Sequence, residues 1–156
     1  MKTLFISLLI SSLLCTQAFA AELLTQGDNL PNLTLTDQHD KPAKIDHSIM
    51  RLIFAADNGG ASLVTAMLDT KDSNWLTQTN SVYLADIHKM PSLISKMFAL
   101  PQLREKPYTI VLGREEADLA MFARQKSCVA IIALSNMKIG DTTFACTEDA
   151  LKEAVK

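Results

Sequence analysis

The run Arg51 to Leu68, RLIFAADNGGASLVTAML, constrains this chain more than any other segment. After Arg51 it is continuously apolar to Ala56, which suits a strand buried on both faces. Asp57-Asn58-Gly59-Gly60 then breaks the strand. Asp57 or Asn58 can cap a helix whose Leu63, Val64, Met67 and Leu68 share one face, with Asp69, Lys71 and Asp72 beyond its end. A doubly buried strand that feeds a helix at once belongs to a layered α/β sheet, because both faces of the strand must be covered.

The rest of the chain repeats the alternation. Residues 33–46, LTLTDQHDKPAKID, predict an opening hairpin around His39-Asp40-Lys41-Pro42. Ser81 to Asp86 predicts a strand. Pro91 suits the first turn of a following helix, where its missing N–H is harmless, and Leu93, Ile94, Met97 and Phe98 are that helix's apolar stripe. Tyr108 to Leu112 reads as a further strand and Glu115 to Ala123 as a short helix. Val129 to Leu134 and Ile139 to Ala145 predict a hairpin joined through Ser135-Asn136-Met137-Lys138. Thr147 caps a last helix, with Glu148 and Asp149 at its positive end and Lys152 and Lys156 towards the negative end.

Residues 1–20 read as a secretory signal: Lys2, an apolar run from Leu4 to Leu14, and a small-residue cleavage site at Ala18-Phe19-Ala20. A bilayer span needs about 18 apolar residues, and Ser11, Ser12, Thr16 and Gln17 interrupt this run, so no stable membrane anchor is expected after cleavage. Ser12-Leu13-Leu14 before Cys15 is too bulky for a lipid-attachment site. Residues 21–156 suffice for a single domain with its own core. The chain carries 15 Lys and Arg against 17 Asp and Glu, a net charge of −2, with no basic cluster. Nucleic acid is therefore not an expected partner.

Only Cys128 and Cys146 survive cleavage, and in an oxidising, periplasmic setting an even pair reads first as a disulfide. A tight hairpin centred on Met137 sets residue 128 opposite 146, close enough for a bridge. Two separate buried thiols are the alternative, since a one-residue slip turns the cysteines to opposite faces. Closing this loop of about 18 residues stabilises by about 3 kcal/mol.

Three stretches together resemble the redoxin branch of the thioredoxin-like superfamily, its peroxiredoxin-like and thiol-specific-antioxidant-like members. LTLTDQHDKPAKID looks like their opening hairpin, RLIFAADNGGASLV occupies their strand-to-active-helix position, and CVAIIALSNMKIGDTTFACTEDALKEAV is similar to their closing hairpin and helix. The resemblance implies an α/β fold: a thioredoxin-like mixed sheet with helices on both faces and an N-terminal β-hairpin. It also implies a reactive cysteine near the helix start and a cis-proline on the opposite wall. Here the turn reads Asp57-Asn58-Gly59-Gly60-Ala61-Ser62 and the wall Lys126-Ser127-Cys128, so the family's chemistry has no matching residues.

Several readings remain for these positions. Gly59 and Gly60 at a helix start present unpaired N–H groups that suit an anion, or else simply permit a tight turn capped by Asp57 or Asn58. Cys128 could bring a thiol to that turn from the opposite wall. Asp86 and His88 follow a strand end, where α/β sheets place ligands. With Met90 they do not form a recognised metal set, and methionines 67, 90, 97 and 121 fit apolar faces. Trp75 reads as a core-edge residue, and Glu115, Glu116 and Asp118 as a solvated face. Nucleotide, serine-hydrolase and zinc-protease signatures are absent. The sequence thus leads to an exported domain without dithiol catalysis or cofactor, binding an unknown protein or small molecule near Asp57, Asn58, Gly59, Gly60, Asp86, His88, Lys126 and Ser127. A redox protein or sensor using Cys128 and Cys146 is the alternative, and a structural envelope subunit a third.

Overall fold

The computed structural model describes residues 22–156; the expected signal segment and its cleavage site lie outside them. At the centre is β2, Arg51–Ala55, with β3, Ser81–Asp86, parallel to it on one side and β5, Val129–Ser135, antiparallel on the other. Strand β4, Val111–Gly113, runs parallel to β3, and the two-residue β1, Thr36–Asp37, pairs antiparallel with β4. Strand β6, Lys138–Ala145, closes the other edge beside β5. The mixed sheet has the order β1-β4-β3-β2-β5-β6. Leu52, Ile53, Phe54 and Ala55 are all buried, as a strand covered on both faces requires.

Helix α1, Asn58–Leu68, and α5, Glu148–Ala154, cover one face, where Val64, Met67, Leu68, Leu151 and Val155 join Ile53, Tyr83 and Ile131 in a single core. The short α2, Trp75–Gln78, adds Leu76, with Trp75 half-buried at the edge of that core. Burial drives the Tyr83 hydroxyl pKa upward, with nearby Tyr108 adding to it; burial and the Asp69 carboxylate raise that of Tyr108 to about 12. On the opposite face Leu52, Phe54, Leu84 and Ile132 pack under Leu30, Leu35, Leu119 and Phe122.

The opening hairpin forms in reduced compass. Thr36 bridges to Pro42, the Asp37 N–H donates to the Lys41 carbonyl, and Asp40 turns the chain at a φ of 63°. Gln38, buried in that turn, donates to the Tyr108 carbonyl and accepts from the Ile110 N–H, so it fastens the hairpin to the chain entering β4. Tyr108 and Ile110 are buried as a strand would bury them, but the ladder itself begins at Val111.

Two expectations are overturned. Glu115 to Ala123 is a succession of turns, not a helix. The Asp118 carboxylate accepts from the N–H groups of both Arg114 and Glu115, fixing a turn where a helix would start. Leu119 then drops against Gly113, where a Cβ would lie 2.5 Å from its Cδ1.

The stripe Leu93, Ile94, Met97 and Phe98 is not core but surface, 65%, 46%, 60% and 57% exposed. It lies on α3, Ser92–Ile94, and a π-helical stretch, Ser95–Ala99, that continues into α4, Leu100–Arg104. In an unbroken α-helix Leu93 and Leu100, two turns apart, share a face. The i→i+5 stretch between them takes up an extra residue and rotates one relative to the other. Leu100 and Leu103 pack inward, and the residues before them turn to solvent.

Candidate functional site

The ends of β2 and β3 lie side by side, with Ala55 registered on Ala85, so Ala56-Asp57 and Asp86-Ile87 leave the sheet together at its carboxyl edge. Between them and the start of the 92–104 helix is a cleft of about 470 Å³. Asp57, Asn58, Asp86 and Lys89 line it on the polar side, and Ile87, Met90, Pro91 and Ile94 on the apolar side. This is the edge at which open α/β sheets bind ligands. The exposed Leu93, Met97 and Phe98 continue from Ile94 along the same segment.

Asp57 is the N-cap of α1, and its two carboxylate oxygens do different work. Oδ1 accepts from the Gly60 N–H at 2.9 Å, while Oδ2 accepts from the Ser127 N–H at 2.8 Å across the gap between helix start and opposite wall. These bonds, that to Gly60 first, hold the Asp57 pKa below its ordinary value. A side-chain anion thus fills the positive end of α1, which excludes the free anion site that the two glycines could have offered. Asp57 rather than Asn58 is the cap.

The glycines answer to close approach. A Cβ at Gly59 would meet Ser127 Cβ and Oγ at 2.7 Å, and one at Gly60 would meet the Cys128 carbonyl oxygen at 2.6 Å. Segment 126–128 does face the turn, as the sequence implies, but through the Ser127 side chain and the Cys128 backbone. Ser127 has a φ of 57°, and the described residues contain no cis peptide bond. Lys126 stands near enough to favour the ionised Asp57.

Cys128 does not present a free thiol to the turn. It is bridged to Cys146. Pairing of Val129 with Ala145 sets 128 opposite 146 as expected, though by a different route. The turn is the two-residue Asn136-Met137, both at positive φ, which centres the near end of the hairpin half a residue earlier than Met137. A bulge that sets Gly140 and Asp141 against Ala133 restores the register before the cysteines. Cys128 is buried, whereas Cys146 is exposed, with the Gln125 amide donating to its sulfur at 3.4 Å.

Asp86 and His88 come together, with Asp86 Oδ1 2.6 Å from His88 Nδ1. The partner that sequence reasoning missed is Arg124, from the turn segment. Its Nη1 reaches Asp86 Oδ2 at 2.6 Å as an ion pair without the alignment of a hydrogen bond, and its guanidinium lies over the Phe54 ring. Only 2% of the Asp86 side chain is exposed, so the charged pair braces the edge from beneath. No group of three or more His, Cys, Asp or Glu among the described residues is placed to hold a metal ion. Nor is any helix among them long and apolar enough to cross a membrane.

Solved structures share this architecture. A proposed protein disulfide isomerase of Bacteroides thetaiotaomicron is 14% identical, with a TM-score of 0.55 over 87% of this chain and 89% of that one. A proposed thiol:disulfide interchange protein DsbE of Chlorobium tepidum is 13% identical, with a TM-score of 0.55 over 85% of this chain and 99% of the other. A thioredoxin-like protein of Porphyromonas gingivalis is 19% identical, with a TM-score of 0.52 over 81% and 88%. No protein-family model matches the chain, and no curated protein matches its sequence. The fold is thioredoxin-like, a mixed sheet with its helices, and it carries a disulfide on the wall opposite α1.

Proposed function

We propose that this chain is an exported, thioredoxin-like binding domain, residues 21–156, that works in the periplasm without dithiol catalysis. It takes a protein or small-molecule partner in the cleft between Asp57-Asn58 and Met90–Ile94. The observation that carries this reading is the Asp57 carboxylate. It occupies the helix start where a thioredoxin-like enzyme keeps its thiolate, and it is held there by Gly60 on one side and Ser127 on the other. The Ser127 N–H, engaged with Asp57, is also unavailable for an extended peptide on that wall.

What is left for recognition is the apolar side of the cleft. Met90, Pro91 and Ile94 line it, and Leu93, Met97 and Phe98 lie exposed beside them, a concentration of apolar surface that marks interaction sites in soluble proteins. The π-helical stretch that turns those side chains outward is itself a feature found at functional sites. Nucleic acid and a permanent membrane anchor have no place in this reading.

An environment-sensitive naphthalene sulfonate dye tests it. Its fluorescence is expected to rise with the native chain and to fall back in Ile94→Glu and in Met97→Glu, with unfolding midpoints unchanged. A signal equal in all three proteins would place apolar binding elsewhere. In cells, a photoreactive side chain at position 93 is expected to give one discrete adduct that Ile94→Glu removes. Intact mass of the exported chain is expected to begin at Ala21.

A further inference from the structure

The Cys128–Cys146 bridge has three properties that a purely structural disulfide does not need. Its sulfurs differ in access: Cys146 is exposed and Cys128 is buried. The two strands are already held in register by the ladder from Val129–Ala145 to Ile132–Thr142, so the cysteines stay opposite each other with or without the bond. And Cys128 Sγ lies 3.3 Å from the Lys126 carbonyl oxygen, an acceptor ready for an S–H that the bridged sulfur does not carry.

From these we infer that Cys146 Sγ is a thiol-exchange site, attacked by the thiolate of a small thiol or a protein dithiol. The incoming sulfur bonds to Cys146 Sγ and the Cys128–Cys146 bond breaks. Its electron pair goes to Cys128 Sγ, which takes up from solvent the proton that the attacking thiol released and keeps it in an S–H hydrogen bond to the Lys126 carbonyl. With a dithiol, the second thiolate attacks the partner's own sulfur in the mixed disulfide and releases Cys146 as a thiol. The partner ends oxidised by two electrons and the bridge reduced by two.

The reduced pair is not an efficient catalyst. Cys128 is buried, so once reduced it is poorly placed to attack an external disulfide. The exchange therefore records the redox state around the protein, and it does so on the segment that also carries Ser127, the partner of Asp57. The inference does not depend on what the cleft binds.

The test equilibrates the native mature chain in buffers of reduced and oxidised glutathione at varied ratio, with a parallel series in a small dithiol, followed by alkylation and intact mass. Expected in the glutathione series is a bridge-to-dithiol ratio that follows the buffer through a midpoint, with near-ultraviolet circular dichroism retained. If only the dithiol opens the bridge, the natural source is a dithiol protein and not a small monothiol. In Cys128→Ser, oxidised glutathione is expected to cap Cys146. In Cys146→Ser, it is expected to leave Cys128 untouched unless denaturant is added. A bridge that stays closed in both native series, that opens only as the dichroism is lost, or an adduct that forms on native Cys128, would overturn the inference.

Discussion

Two helices follow the two central parallel strands, and they treat the same sequence pattern in opposite ways. Helix α1 has a side-chain cap, starts within three residues of β2, and buries Val64, Met67 and Leu68 under the sheet. The 92–104 helix starts at Pro91 with no side-chain cap, passes through a π-helical stretch, and leaves Leu93, Ile94, Met97 and Phe98 in solvent. An apolar stripe at helical spacing therefore establishes that a helix has a face, not what that face meets. One stripe holds the fold together; the other stands at the cleft, open to solvent.

The contrast can be broken most forcefully by the same truncation in each helix. Met67 has no exposed surface, so Met67→Ala is expected to cost about 2–5 kcal/mol, whereas Met97→Ala should change stability by no more than about 0.5 kcal/mol. Urea unfolding of the two variants measures both, and equal losses would mean that the 92–98 face is covered in the native fold. Next is Gly60→Ala, whose methyl would press on the Cys128 carbonyl. A loss of roughly 1–3 kcal/mol is expected, because backbone and not a flexible side chain has to move.

Asp57→Ala removes the cap that the second helix never had, at a cost of about 1 kcal/mol. Its pH dependence sharpens the comparison. The folded-state pKa of Asp57 lies below its unfolded value, so its contribution is complete above the unfolded pKa of about 3.9 and disappears as pH falls through the folded value. Urea titrations at neutral and acid pH should therefore converge for wild type and Asp57→Ala as the solution is acidified. Smallest of all, Leu93→Ser is expected to leave the unfolding midpoint in place while reducing dye binding.

Much of this was legible from residue pattern. The doubly buried β2, the SVYLAD strand and the Thr147 cap each rest on local chemistry that nothing elsewhere opposes, whereas the Cys128–Cys146 pairing holds because a bulge opposite Ala133 offsets the half-residue shift of the turn. The segment after Arg114 was not, because Asp118 bonds backwards to two N–H groups and Leu119 must seat on Gly113, and neither partner is visible in helical periodicity. The 93–98 stripe misleads for a different reason: one extra residue in a helical turn reverses which apolar residues face inward, and no residue type announces it. Of the candidate site, Asp57, Asn58 and Asp86 line a common cleft, whereas Ser127 bonds Asp57 from outside the residues that line it. His88 turns instead to Asp86. Arg124 was missed because its partner is 38 residues away in sequence and the contact depends on the turns between.

The most direct measurement is turnover of insulin disulfides by the mature chain with dithiothreitol as reductant, paired with hydroperoxide consumption under the same conditions. With Asp57 filling the helix start and the two cysteines on the opposite wall, both rates are expected to equal those of buffer alone. A rate above buffer that disappears in Cys128→Ser would contradict a domain built for binding.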